Sequence, residues 1–178
     1  MKRKNLFFVS ALILFGLATV NSVKAQPPYQ SGSVEVKITL NPFQAIIVSS
    51  TPVELNYATA EDYNNGVMSA LQPNHLTVHA IGGFTVSVRT DHDFQIGSTT
   101  TNSIPASDVK VKVGPIGGAL GAPVPLSTGG STLFTSDTGG FNKKYDVQYD
   151  NSAGSLFKYA DKASGTYSAV VTYTIASN

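Results

Sequence analysis

From Val34 onward, apolar and polar residues alternate in short runs that glycine, asparagine and proline interrupt. Val34, Val36, Ile38 and Leu40 fall on one face and Glu35, Lys37 and Thr39 on the other, which predicts a strand with one wet side. Asn41–Pro42 breaks it. Ala45–Val48 is a continuous apolar run compatible with a buried strand, and Val53–Tyr57 alternates again. Thr59–Gly66 predicts one helical turn, capped by Thr59 and ended by Asn65–Gly66. Leu76, Val78 and Ala80 alternate with His75, Thr77 and His79; Phe84, Val86 and Val88 alternate with Thr85, Ser87 and Arg89. Gly82–Gly83 between these two runs makes them a hairpin candidate. Val109, Val111 and Val113 alternate with Lys110 and Lys112, a half-exposed strand with a charged outer face.

Residues 114–140 have a different texture, with eight of the sixteen glycines and three of the nine prolines. They predict a long connection carrying one or two small strands. Tyr145, Val147 and Tyr149 make another alternating strand, and Leu156–Ala160 is a short apolar piece. In Thr166–Ser177, Tyr167, Ala169, Val171, Tyr173 and Ile175 share one face. This run has no proline and reads as a central strand. About eight to ten strands with glycine and asparagine turns predict an all-β sandwich or barrel of mostly antiparallel strands.

The first 25 residues read differently. Lys2, Arg3 and Lys4 precede an apolar run from Leu6 to Val20, and Val23-Lys24-Ala25 places small residues before a cut. This predicts a secretory signal peptide over 1–25, cleaved before Gln26. Residues 26–33 form a flexible lead and 34–178 a single β-domain. No second apolar stretch is long enough to span a bilayer, so a secreted product is expected in the periplasm, at the cell surface or outside the cell.

Charge and composition narrow the chemistry. Four of the twelve basic residues lie in 1–25, which leaves eight against eleven acidic ones, a net charge of −3. Nucleic acid is therefore not expected as a partner, since phosphate binding needs clustered Lys and Arg. With no cysteine, disulfides, thiol catalysis and cysteine-held metals are excluded. No cofactor is expected.

Candidate sites are few. His75 and His79 stand four apart, but on a strand that spacing is about 13 Å, too far for one zinc; both read as exposed strand residues. Asp91-His92-Asp93 is the candidate cation site, at a turn that lacks the oxygen count of a calcium loop. No nucleophile elbow or phosphate loop is present, and the expectation is a protein that is not an enzyme. Tyr145, Tyr149, Tyr159, Tyr167 and Tyr173 read as core, whereas Tyr63, beside Asn64–Asn65, reads as an exposed aromatic available to a partner.

Gly165-Thr166-Tyr167-Ser168-Ala169-Val170-Val171-Thr172-Tyr173-Thr174-Ile175 resembles the closing strand of bacterial surface β-sandwich families, among them the spore coat U and Csu-type pilin domains and the WxL-type surface domains. The Val34–Leu40 run after a signal peptide and the Gly82–Val86 run fit the same organisation. The chain departs from the pattern in having no cysteine and no Trp-x-Leu motif. The resemblance implies an Ig-like or pilin-like sandwich without catalysis, displayed at or beyond a bacterial envelope.

The leading functional expectation is a secreted surface or fimbria-like structural protein that adheres or assembles through contact with other surface proteins, itself or a matrix. Two roles stand open for Val34, Val36, Ile38 and Leu40. They pair within their own sheet, or they are given as a strand to a neighbour's open sheet edge. The alternatives are a carbohydrate-binding module or adhesin tip that takes a glycan near Tyr63 and, more remotely, a small secreted hydrolase.

Overall fold

The computed structural model describes residues 31–152 and 157–178. The signal-peptide and Leu156 readings, and residues 26–30 of the lead, lie outside the described residues. The chain divides into two units at Ile38/Thr39, and each is described by itself. In the first, residues 31–38 form no strand, and Val34, Val36 and Ile38 are 79–86% exposed. The strand predicted at 34–40 therefore has no ladder: alternation supplies a face, but a strand exists only where backbone groups find a neighbour. Leu40, in the second unit, also lies outside any strand and is exposed.

The second unit is mostly β, with antiparallel sheets and little helix. Its strands are β1 (Gln44–Val48), β2 (Gln72–Ala80), β3 (Phe84–Thr90), β4 (Phe94–Ile96), β5 (Thr99–Ile104), β6 (Lys110–Pro115), β7 (Val124–Pro125), β8 (Ser131–Ser136), β9 (Gly140–Asp150) and β10 (Val171–Ser177). A six-residue helix, α1 (Ala60–Asn65), and one 3₁₀ turn (Ala106–Asp108) complete it. One sheet has the order β1-β2-β9-β6-β7, a second has β10-β3-β8, and β4-β5 is a separate ribbon.

Alternation explains which side chains are buried. Leu76, Val78 and Ala80 of β2, Val111 and Val113 of β6, and Val147 and Tyr149 of β9 line one side of the first sheet. Phe84, Val86 and Val88 of β3, Leu133 of β8 and Tyr173 of β10 line one side of the second. Both sets belong to a single buried cluster. Each fully buried aliphatic side chain contributes about 1.5–3 kcal/mol, which replaces the covalent staples a cysteine-free chain cannot form.

Two expectations change. β2 and β3 are consecutive but do not pair: Gly82, at φ +82°, carries the chain from one sheet to the other. Pairing in a hairpin would leave each strand's apolar face on the same sheet, whereas the turn sets the two faces on opposite sides of one core. β10 is an edge strand, with β3 as its sole ladder partner among the described residues. Its lack of proline is compatible with either position. The helix forms as predicted, with a reciprocal cap between Thr59 and Asp62.

The edges of the two sheets approach one another twice. At one seam β7 lies beside β8, and Ser131 Oγ donates to the Pro125 carbonyl at 3.1 Å. The neighbouring chain adds the Leu126 N–H to Val109 and the Thr90 N–H to Ser127. At the other seam β1 lies beside β10 with no ladder between them.

Candidate functional site

The β1–β10 seam widens into a groove of about 1470 Å³. One wall is the chain that continues from β1 through residues 48–60; the other is residues 162–171, leading into β10. Apart from the end of β1, the first residue of the helix, the single bridge at Ser168 and the start of β10, neither wall has regular secondary structure, and the second bends at 162 and 164–165. Val53, Leu55 and Tyr57 are half-buried while Glu54 and Asn56 are exposed, so the alternation predicted there is real although no ladder forms. Among the described residues, no backbone N–H or C=O of residues 50–57 bonds to another backbone group, and none of residues 163–167 does either. Beyond that stretch, the far wall is satisfied on one side only: Ser168 and Gln95 exchange two backbone bonds at 2.9 and 3.1 Å, and the Asp91 N–H donates to Val170.

The floor is apolar and aromatic. Phe94, Ile104, Val109, Tyr149 and Tyr173 face the groove. The Tyr149 and Tyr173 hydroxyls bond each other at 2.7 Å, and burial raises both their pKa values. His75 lies on the same floor, edge-on to Tyr149 at 6.2 Å and to Tyr173 at 5.9 Å. It is only 4% exposed and its Nδ1 has no hydrogen-bond partner. The expectation of an exposed His75 is thus corrected. Asn74, at φ +54°, interrupts the register between Gln72 and Leu76, and His75 and Leu76 are both buried. Burial holds the imidazole below its ordinary 6.5 and therefore neutral at pH 7. His79 keeps strand alternation, is half-buried, and takes a hydrogen bond from the Asn142 N–H at 3.2 Å.

A tyrosine cluster closes one end of the groove. Tyr57 packs on Tyr63 at 5.2 Å and edge-on to Tyr159 at 5.5 Å. The Tyr159 hydroxyl joins Asn151 at 2.9 Å and Asp108 at 3.0 Å, and Lys158 pairs with Asp108 at 2.5 Å. Burial pushes Tyr57 up to about 12. Tyr63 is thereby half-buried rather than free. The cleft between it, Asn64 and Asn65 holds about 10 Å³, room for roughly one water.

Asp91, His92 and Asp93 do share a turn, but their oxygens are engaged in holding the chain. Asp91 Oδ1 accepts from the Val170 N–H and the His92 N–H, both at 2.9 Å, which lowers its pKa. Asp93 Oδ1 accepts from the Ala106 N–H at 2.8 Å. His92 Nδ1 lies 2.7 Å from the Asp93 carbonyl. Among the described residues, no group of three or more His, Asp or Glu side chains is arranged to hold a metal ion. The turn instead anchors the far wall of the groove.

Sequence reasoning missed the groove itself, because the unpaired state of 50–57 and 163–167 is a tertiary fact. Neither a family model nor a curated protein matches this chain.

Proposed function

We propose that this chain is a secreted bacterial surface or fimbria-like structural protein, an Ig-like or pilin-like sandwich whose signal peptide is removed on export, and that it assembles by strand exchange. The groove between residues 48–60 and 162–171 receives Val34–Leu40 of a second copy. The carrying observation is the pairing deficit: among the described residues, 50–57 and 163–167 make no backbone–backbone bonds, and they stand on either side of an apolar floor. An inserted strand supplies main-chain bonds to both walls and apolar side chains to the floor, the two components of β-strand addition. A groove of 1470 Å³ also exceeds the ~300–1,000 Å³ of small-molecule sites.

The occupant is argued from the chain. Residues 34–40 alternate strictly, carry no proline, and are exposed with no ladder of their own. Their polar face, Glu35, Lys37 and Thr39, would remain in water. Seven residues span about 23 Å at ~3.3 Å each, and the unpaired stretch 50–57 of one wall is of similar residue count.

The absence of native cysteine permits a direct test. One full-length chain carries Ile38→Cys, a second carries Ala169→Cys, and the two are mixed under mild oxidation. A heterodimer disulfide is expected, well above that formed when the second cysteine is placed at Lys110 on β6. Equal yields from Ala169→Cys and Lys110→Cys would contradict the reading.

A further inference from the structure

We propose that His75 makes strand seating in this groove depend on pH, tight when its imidazole is neutral and weak when it carries a proton. The inference rests on the groove receiving a strand, and adds how that step is regulated.

His75 is a titratable group on a floor whose other side chains, Phe94, Ile104, Val109, Tyr149 and Tyr173, are aromatic or aliphatic. From β9 it faces Tyr149 and from β10 Tyr173, whose hydroxyls satisfy one another and stay protonated at neutral pH. From the chain after β1, the Ser49 N–H donates to the His75 carbonyl at 2.8 Å, which fixes the backbone and leaves the ring untouched. Glu54, exposed on one wall, and Lys162, half-buried on the other, are the charged residues among the groove's lining. Among the described residues no carboxylate pairs with His75, and Nδ1 has no acceptor within reach. A proton added there has no counter-charge.

His75 is 4% exposed in the open groove, so water filling the groove would steady a positive charge there from beyond direct contact. An apolar strand laid across the floor replaces that water with hydrocarbon, which disfavours the charged form further. Seating and protonation therefore oppose each other, and linkage requires that each weaken the other equally. No second titratable group on the floor offsets this, because both neighbours are neutral phenols. Surroundings already hold His75 low in the free groove, so the effect appears on the acid side of neutrality.

The test uses the full chain carrying Val36→Asp and Ile38→Asp, which cannot donate its own strand. A fluorescent synthetic peptide covering residues 33–41 of the original sequence is titrated into it at pH 7.5 and at pH 5.0, with NMR of the His75 ring across the same range. Each unit by which seating lowers the His75 midpoint weakens binding about tenfold once the pH is below both midpoints; a loss of affinity is expected at pH 5.0 relative to pH 7.5. In His75→Phe, or in His75→Gln if the phenylalanine variant does not fold, binding is expected to be the same at both pH values. The His75 midpoint is expected to drop when peptide is added. Peptide binding that is equal at both pH values with His75 present, or a midpoint that peptide leaves unchanged, overturns this proposal and spares the strand-accepting groove. No peptide binding at any pH overturns both.

Discussion

Single residues decide which side chains the core contains. The local alternation of β2 places His75 outside, and only the left-handed backbone of Asn74 turns it in. Such a slip reverses a side chain's face, and Asn tolerates that backbone without marking it in the pattern, so His75 was not legible. Tyr149 and Tyr173 were legible as core, because each sits on the apolar face of its strand; their mutual hydrogen bond was not. Tyr173→Phe leaves the Tyr149 hydroxyl buried without a partner and should cost about 1–3 kcal/mol in urea unfolding. The Tyr149→Phe/Tyr173→Phe double variant should cost less than the two single changes added, since neither oxygen then remains to be satisfied.

The same burial sets a pH dependence of stability. His75 has a folded pKa below its unfolded value of 6.5, so the unfolded chain takes up a proton first as pH falls. Its contribution is complete above 6.5, declines below it, and levels off once the folded midpoint is passed. For Asp150, burial pushes the carboxyl upward, but bonds from Lys112 and Ser152 outweigh it and hold the pKa below 3.8. That contribution is present above 3.8 and is lost in stronger acid. Thermal melts of the full chain should therefore fall between pH 7 and pH 5, and His75→Phe should flatten this first decline while leaving the steeper acid loss.

At the scale of elements, periodicity located most strands but not their partners. β6, β8, β9 and β10 lie where alternation or short apolar pieces placed them, because a half-buried strand must alternate wherever it pairs. The Gly82–Gly83 turn was misread because a hairpin and a crossing between sheets both need a tight glycine turn; which one forms depends on the distant strands β8, β9 and β10. The 53–57 run shows the converse, alternating burial without a ladder, whereas 34–40 has neither a ladder nor a buried face. Helix α1 was legible in full, since its signals are local. Gly66 ends it at φ +73°, and a β-carbon there would overlap the Asn151 carbonyl oxygen. Gly66→Ala should destabilise the fold by more than the ~1–2 kcal/mol of left-handed strain alone, as read by the urea midpoint.

For the whole molecule, the two seams behave differently. One is closed by β7, β8 and the bonds beside them; the other leaves backbone groups and an apolar floor open. An open edge of this kind pairs with another chain unless it is blocked. On the proposed reading Val34–Leu40 of one copy is the complement of this seam in another; donor and acceptor would then be different surfaces, and the contact would close as a reciprocal exchange or extend head-to-tail into rings or filaments. The composition was informative at this scale only in part: low charge and a missing disulfide framework are compatible with assembly, but say nothing of where it happens.

Sedimentation velocity of the full chain against its Val36→Asp/Ile38→Asp variant, over a hundredfold range of concentration at pH 7.5, addresses the central claim most directly. The account predicts concentration-dependent species larger than the monomer for the unaltered chain. It predicts a single monomeric boundary for the variant, with the same circular dichroism and melting temperature. Identical sedimentation of the two, whether both monomeric or both assembled, would contradict it.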